Sequence, residues 1–321
     1  ASASEDGQST IWTSTQGQYV VRAYCSEVLK LDISSIRVTP SEIGGGFGGK
    51  TTIYLEPLAL ALSRKVFRPV KMVMTREEVF RASGPTSGSS MKIKIGAKND
   101  GTITAADVEL KYQAGAFPGS PIMPGCMCAL APYDIKNARV IGYDVVVNRP
   151  KVVAYRAPGA PISEYAVECV LNEISGKIGI DPLDLRQKNA AREGTRTLYG
   201  PQFGAIGYVE TLEASRDSFQ YKQKLNSNQG RGVASGFWFN IGGESCATIN
   251  LNSDGTAELV LGNPDIGGSR ASLAMIAAEV LDIDYKKIRP MISDTSGLGY
   301  NFLTGGSRTT FAGGLAVSEA A

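Results

Sequence analysis

Apolar and polar residues alternate along this chain with two different periods, and the period assigns the elements. Over Met91–Tyr112 and Ala247–Leu261 the alternation is every second residue, as in Thr248-Ile249-Asn250-Leu251. Each run is broken once by a polar turn, Asn99-Asp100-Gly101 in the first and Ser253-Asp254-Gly255 in the second. A period of two interrupted by an Asp-Gly turn predicts a β-hairpin at both places. Elsewhere the spacing is that of a helix with one apolar face, over Leu55–Lys65, Glu164–Ile178 and Ala271–Leu281. Val167, Val170, Leu171 and Ile174 make the stripe of the second helix. Leu273, Ile276, Ala277 and Val280 make that of the third.

The polar stretch Tyr221–Arg231 reads as a linker, and beyond it Val233–Ile241 is expected to restart as an apolar strand. Glycines fall in tight clusters rather than in a repeat. The order of elements lacks the regular βαβ alternation of a doubly wound sheet, so the fold class expected is α+β, in two mixed α/β units. The linker divides them into residues 1–222 and 223–321. The pattern at Leu315–Ala321 is that of a helix in mid-course, an ending expected of a truncation, a cleaved product or a subunit boundary.

Composition narrows the chemistry. The 321 residues are 43% hydrophobic and 20% charged, the balance of a globular protein. A net charge of +2 is too small to call for nucleic acid or an anionic membrane as partner. No apolar run reaches the roughly 20 residues that cross a bilayer, and Ala1–Thr10 lacks the pattern of a secretory leader. A cytoplasmic protein is therefore expected. Histidine is absent, which excludes Ser–His and Cys–His catalytic pairs and any histidine-ligated metal. The five cysteines are odd in number and irregularly spaced, and Cys126-Met127-Cys128 lacks further ligands. Free thiols are expected. Any chemistry rests on backbone amides, carboxylates, Arg, Tyr or a cofactor.

One segment is ambiguous. Gly44-Gly45-Gly46-Phe47-Gly48-Gly49-Lys50-Thr51 fits the phosphate-loop pattern letter for letter. In such a loop, glycines let backbone N–H groups converge on an anion. Against an NTPase, Thr39-Pro40-Ser41-Glu42 separates the loop from the preceding strand. No later strand ends convincingly in a magnesium-binding carboxylate; in Ile141-Gly142-Tyr143-Asp144 the apolar run follows the acid. On this segment alone a nucleotide loop, another cofactor loop and a structural turn all stay open.

A second segment, Val152-Val153-Ala154-Tyr155-Arg156-Ala157-Pro158-Gly159-Ala160-Pro161, precedes the helix that carries Glu164 and Glu168. Paired with Gly44–Lys50, it resembles the signatures of the xanthine dehydrogenase and aldehyde oxidoreductase family of molybdenum hydroxylases. Thr75-Arg76-Glu77-Glu78, the turn at Lys98–Gly101, and Gly179–Asn189 are similar to the family as well. So are Gly267-Gly268-Ser269-Arg270, Asp294-Thr295 and Gly305-Gly306-Ser307-Arg308, in the same order. The resemblance runs from about Ser14 to the last residue and marks the central part of the molybdopterin-binding large subunit.

The resemblance implies an oxidoreductase that hydroxylates an aldehyde or an electron-poor N-heteroaromatic carbon, with water as the oxygen source. It implies a molybdenum-bearing molybdopterin, in one form a cytosine dinucleotide, with the metal held through the pterin and by no side chain. FAD and [2Fe-2S] clusters are expected on a flavin subunit and an iron–sulfur subunit, which with the remaining segments of the large subunit would complete the enzyme. Gly46, Phe47 and Gly48 match positions beside the metal, where the Gly48 N–H would donate to an oxo group. Ala154, Tyr155, Arg156 and Ala157 match the second loop, Arg156 gripping the pterin. Gly267, Gly268, Ser269 and Arg270 match a loop near the cofactor's phosphate, and Ser307 and Arg308 a weaker one. Ser307 is equally explained as a helix N-cap.

One departure bears on the cofactor contact: Gly268 stands where many relatives carry a glutamine, whose side chain Ser269 or Arg270 would have to replace. Three bear on substrate. Thr51 stands where xanthine-oxidising relatives carry a glutamate, and Pro85 near the position of an arginine. A purine would lose both polar partners, so xanthine is disfavoured. Ala157 replaces the cysteine of copper-dependent carbon monoxide dehydrogenases, which disfavours that reaction. Phe80, Tyr155, Phe237 and Trp238 are candidate walls of a substrate pocket. The family's general-base glutamate belongs to a segment beyond this sequence, and Glu164, Glu168 and Glu279 do not fill its motif. The chain by itself is expected to be inactive. The other readings are a non-catalytic module of the same fold and, more distantly, a phosphate-loop NTPase.

Overall fold

Three times along the chain a hairpin is followed by a helix and then by a third strand parallel to the second. The computed structural model describes residues 1–321. The first module is β1 (Ser2–Ala3), β2 (Ser9–Thr13), α1 (Gln18–Leu29) and β3 (Ile36–Pro40), with β1 antiparallel and β3 parallel to β2. Helices α2 (Glu56–Val66) and α3 (Arg76–Ala82) follow. The second module is β4 (Ser89–Ala97), β5 (Ile103–Gly115), α4 (Ile122–Cys128) and β6 (Ala138–Val146). Behind it come α5 (Ala160–Ile178), α6 (Pro182–Lys188), α7 (Tyr208–Asp217) and α8 (Phe219–Lys222). The third is β7 (Ala247–Leu251), β8 (Ala257–Leu261), α9 (Ser269–Leu281) and β9 (Ile288–Ile292). A π-helical turn, Thr309–Gly313, then runs into α10 (Gly314–Ala320).

The recurrence has a local cause. Each hairpin turns on an Asp-Gly pair whose carboxylate accepts the backbone N–H two residues on: Gln8 to Asp6 (3.0 Å), Thr102 to Asp100 (3.0 Å) and Thr256 to Asp254 (2.9 Å). The helices of the first and third modules also end alike. Lys30 and Asp282 sit in the left-handed region, and two residues on Asp32 and Asp284 cap a short 3-10 turn that feeds the parallel strand.

Two compact units result. The first comprises residues 1–85, 153–156 and 239–321, and the second residues 86–152 and 157–238. The first holds two cores, one of Ile11, Val21, Cys25, Ile36, Val38 and Leu60 and one around Leu259, Leu273, Ala277 and Val317. In the second unit, Val108, Leu110 and Tyr112 of β5 pack with Val167 and Leu171 of α5.

The α+β class and both expected hairpins hold, and the three expected helices are present within a few residues of their bounds. Four details differ. A crossover helix makes a parallel pair in every sheet, β2 with β3, β5 with β6 and β8 with β9. Val233–Ile241 is not a strand. In the second unit its polar backbone is taken by side chains instead: Val233 O accepts from Asn172 and Arg186, Ser235 N–H donates to Glu168, and Phe237 N–H to Glu164. Val280 is exposed, while Ala274 and Ala278 complete the buried face of α9. Glu168 is buried inside the apolar stripe of α5, ion-paired with the equally buried Arg186 at 2.6 Å.

No helix is long and apolar enough to cross a membrane. All five cysteines are free, and burial pushes the thiols of Cys25 and Cys128 up to about 12.

Candidate functional site

The glycine loop lies in the first unit, beyond the end of β3. Phe47 takes φ 54°, a left-handed conformation that costs a non-glycine residue of order 1 kcal/mol. Gly48 follows at φ 103°, and a Cβ there would stand 2.3 Å from the Ala154 carbonyl oxygen. The Arg156 N–H donates to the Phe47 carbonyl at 2.7 Å. The two signature loops therefore interlock backbone to backbone, and only glycine fits at position 48.

The organiser of this loop is Gln16, between β2 and α1, which sequence reasoning missed. It is 3% exposed. Its Oε1 accepts from the N–H groups of Gly48 (2.9 Å) and Lys50 (3.1 Å), and its Nε2 donates to the Thr304 carbonyl (2.7 Å). A Cβ on Gly46 would overlap that Oε1 at 2.4 Å. The Gly48 amide, expected to face a metal oxo group, is engaged by this side chain. A glutamine alone in a strand-to-helix connection, Thr15-Gln16-Gly17, was the available signal.

Lys50 and Thr51 do not behave as phosphate-loop residues. The Lys50 Nζ donates to Ser14 Oγ (3.1 Å) and to the Ile43 carbonyl (2.8 Å), and burial lowers its pKa. Thr51 Oγ1 donates back to the Gly48 carbonyl. No helix starts after the loop until Glu56, so the loop does not run directly into a helix N-terminus as a phosphate loop does.

Arg156 and Tyr155 are exposed, and Arg156 makes no ion pair, so a surface salt bridge does not account for it. Ala157, in the second unit, has φ 54°. Gly267 and Gly268 both have positive φ at the start of α9, with open space where side chains would be. Ser269 and Arg270 turn back on Asp265. Ser269 Oγ and the Arg270 N–H donate to its Oδ1 (3.0 and 3.1 Å), and Arg270 Nε donates to Oδ2 (2.8 Å). Arg270 also reaches Glu42 at 3.0 Å.

The loop at 301–309 is tied to its neighbours on both sides. Thr304 N–H donates to the Gln16 carbonyl (2.7 Å), Thr304 Oγ1 to the Pro264 carbonyl (3.2 Å), and Asn263 to the Phe302 carbonyl (3.1 Å). Ser307 is exposed with φ 62°, and makes no capping bond to the helical turn that starts at Thr309. Six non-glycine residues have positive φ. Three are helix C-caps (Lys30, Phe67, Asp282), and the other three are Phe47, Ala157 and Ser307. Strain beyond the helix ends is thus confined to the candidate loops.

Among the candidate wall residues, Phe80 belongs to the first unit and is 78% exposed beside Arg76. Phe237 and Trp238 are half-buried in the second, where Phe237 meets Phe203 edge to face at 5.5 Å. Glu164 accepts the Phe237 N–H at 2.7 Å, and burial, reinforced by Glu168, pushes its carboxyl up to about 7. Glu168 takes two bonds from Arg186, one from the Ser235 N–H and one from the Tyr133 hydroxyl. Both acids thus bond to the backbone of the 233–237 segment.

No group of three or more acidic, cysteine or histidine residues could hold a metal ion. The first unit suits a cofactor with anionic groups: open glycine turns at Gly267-Gly268, a free guanidinium at Arg156, and a buried Thr309 hydroxyl without a partner.

Family models described as molybdopterin cofactor-binding domains match residues 1–190 and 205–321. The chain is 30% identical over 315 residues to the putative xanthine dehydrogenase molybdenum-binding subunit of Escherichia coli, covering 89% of this chain and 40% of that protein. It is 32% identical over 216 residues to the nicotinate dehydrogenase large molybdopterin subunit of Eubacterium barkeri, covering 66% of this chain and 51% of that one. The solved aldehyde oxidoreductase of Desulfovibrio desulfuricans aligns with a TM-score of 0.89 at 25% identity, over 99% of this chain and 37% of its own. The chain thus spans about 40% of the length of the E. coli relative.

Proposed function

The chain belongs to the molybdopterin cofactor-binding family, and from that premise we propose that it is the cofactor-holding part of a molybdenum hydroxylase acting on an aldehyde or an N-heteroaromatic carbon. The cofactor, when bound, supplies the two-electron redox chemistry and water-derived hydroxylation. This chain supplies position. The observation that carries the reading is the interlock of Phe47-Gly48 with Ala154–Arg156, held from behind by Gln16. Phe47 and Gly48 shape the wall beside the metal, with Gly46 as their hinge. Arg156 binds an anionic edge of the pterin, a task suited to a planar fork without an internal partner. Gly267 and Gly268 let a phosphate-bearing extension approach the start of α9, and Ser307 adds a strained turn. Ser269 and Arg270 shape that approach through Asp265.

In this reading the pterin carries a cytosine dinucleotide, and electrons leave through [2Fe-2S] clusters to FAD on partner subunits in the cytoplasm. Thr51 and Pro85 favour an aldehyde or N-heteroaromatic substrate over a purine, with Phe80 and Tyr155 of the first unit as apolar contacts. The general base comes from elsewhere in the complete enzyme, because Glu164 and Glu168 are committed to backbone and Arg186. A domain division near residues 222 and 223 belongs to the same reading.

Metal analysis combined with release of a fluorescent pterin tests it. Molybdenum and pterin in equal amounts in the purified complete enzyme are expected. A folded enzyme free of both would instead support a non-catalytic module.

A further inference from the structure

Tyr54, between the glycine loop and α2, is half-buried. Its hydroxyl donates to the Gly49 carbonyl at 3.0 Å and accepts the Gly84 N–H at 3.3 Å. The Pro85 carbonyl accepts the Val153 N–H at 3.2 Å, and the Arg156 N–H returns to the Phe47 carbonyl at 2.7 Å. These bonds close a ring within the first unit, from Phe47–Gly49 through Tyr54 to Gly84-Pro85, on to Val153–Arg156, and back to Phe47. Two of its joints run backbone to backbone. The third passes through a single side chain, the Tyr54 hydroxyl.

Tyr54 is itself held in place. Its N–H donates to Glu56 Oε2 at 2.7 Å, and Glu56 Oε1 accepts from Thr13 Oγ1 at 2.7 Å, so the residue is anchored to β2. Burial, with Glu56 nearby, raises the pKa of the phenol and keeps its O–H a donor. The stretch that it holds has few bonds of its own: Ser83 ends α3, and Pro85 offers no N–H. Both residues that disfavour a purine lie on this ring or beside it. Thr51, whose hydroxyl donates to the Gly48 carbonyl at 2.8 Å, falls between the loop and Tyr54, and Pro85 follows Gly84.

We propose that Tyr54 is a specificity-determining positioning residue: its hydroxyl fixes how far Gly84-Pro85 stands from the glycine loop, and so sets the width of the substrate opening between Thr51 and Pro85. This rests on the reading of the first unit as part of a molybdenum hydroxylase. Tyr54 acts through Gly84 and Pro85 and does not touch the substrate. Removing its hydroxyl opens the ring at one joint: the Gly84 N–H loses its acceptor, and Gly84-Pro85 keeps only the bond from Val153. The interlock of Phe47-Gly48 with Ala154–Arg156 contains no atom of Tyr54. Substrate selection and cofactor holding therefore come apart in a variant of this residue.

The complete enzyme is prepared as wild type and Tyr54→Phe. Both are measured for pterin content, for hydrogen exchange at Gly84, and for kcat and KM on a small and a large member of each substrate class, acetaldehyde and benzaldehyde, pyridine and quinoline. Tyr54→Phe is expected to keep its pterin and to exchange the Gly84 amide about tenfold faster, because that amide loses its acceptor. KM for the best substrate should rise about fivefold with a smaller change in kcat, as when binding shared by ground and transition states is lost. The ratio of kcat/KM between the large and small members of the class turned over should move by about threefold or more, which lost stability alone would not produce. An unchanged Gly84 exchange rate, or a smaller move in that ratio, overturns the proposal. Loss of pterin in Tyr54→Phe overturns it too, by making the residue part of the cofactor hold. Should Tyr54→Phe fail to fold, wild-type exchange decides: a Gly84 amide that exchanges as open chain overturns the proposal, and one protected together with Lys50 sustains it. A wild type that holds no pterin and oxidises none of the four compounds would refute the hydroxylase reading, while the Gly84 exchange rates would still show whether Tyr54 closes the ring.

Discussion

Gly48 and Ala154 touch so closely that a single carbon atom cannot be inserted between them: a Cβ on Gly48 would lie 2.3 Å from the Ala154 carbonyl oxygen. Gly48→Ala must therefore part the two loops and also place alanine at φ 103°. The expected cost is about 2–4 kcal/mol in urea unfolding, with loss of bound pterin. A change below roughly 0.5 kcal/mol, the range of an ordinary surface substitution, would show that the loops are not locked.

Gln16→Leu keeps the volume near Gly46 but removes the acceptor of two amides. Buried N–H groups left unmet cost about 1–3 kcal/mol each, so a loss of that order is expected. Hydrogen exchange at Gly48 and Lys50 should accelerate while exchange in α5 stays unchanged. Equal protection in both proteins would mean that the loop holds itself.

Much of this site was legible before the fold was known, and what was not has a common cause. The glycine loop and the Tyr155-Arg156 loop are written as contiguous residues, and the two long hairpins announce themselves through Asp100-Gly101 and Asp254-Gly255. Gln16 acts on segments far away in sequence, the glycine loop and Thr304, so only its place in a strand-to-helix connection marks it; Arg308 is marked by the Gly305–Arg308 motif, but its bonds to the Gly242–Glu244 carbonyls are not readable there. Val233–Ile241 misled for the same reason: its apolar alternation is real, but Glu164, Glu168, Asn172 and Arg186 claim the backbone bonds that a strand would need.

Arg186→Met strands Glu168 as a buried charge. Breaking such a pair costs about 3–5 kcal/mol. The double variant Arg186→Met with Glu168→Leu should recover a substantial part, and a double-mutant cycle measures how much. Additive losses in the double variant would show that the two side chains are not coupled.

Glu164 gives a pH dependence with a definite sign. Its folded carboxyl is pushed from 4.5 up to about 7 by burial and by Glu168, so the folded state binds more protons than the unfolded state between those values. Its burial is least costly below about pH 4.5, and that advantage is lost as pH rises through 7. Glu164→Gln keeps an acceptor for the Phe237 N–H without the charge. Above pH 7 it should be more stable than wild type by roughly 1 kcal/mol, a figure reduced for partial exposure, and the gap should close toward pH 5. Parallel stability curves from pH 5 to 8.5 would contradict this.

The first unit is written in pieces, with residues 86–152 and 157–238 belonging to the second. That division orders events on the ribosome. When Gln16 and the glycine loop emerge, Thr304 has not yet been made, and the carbonyls that Arg308 will gather at 242–244 must wait for it as well. The second unit can finish while the first stays half-built, since domains fold as units during synthesis. The cradle therefore becomes whole only once residues 301–309 have been made, and cofactor loading must follow their synthesis rather than accompany that of the glycine loop.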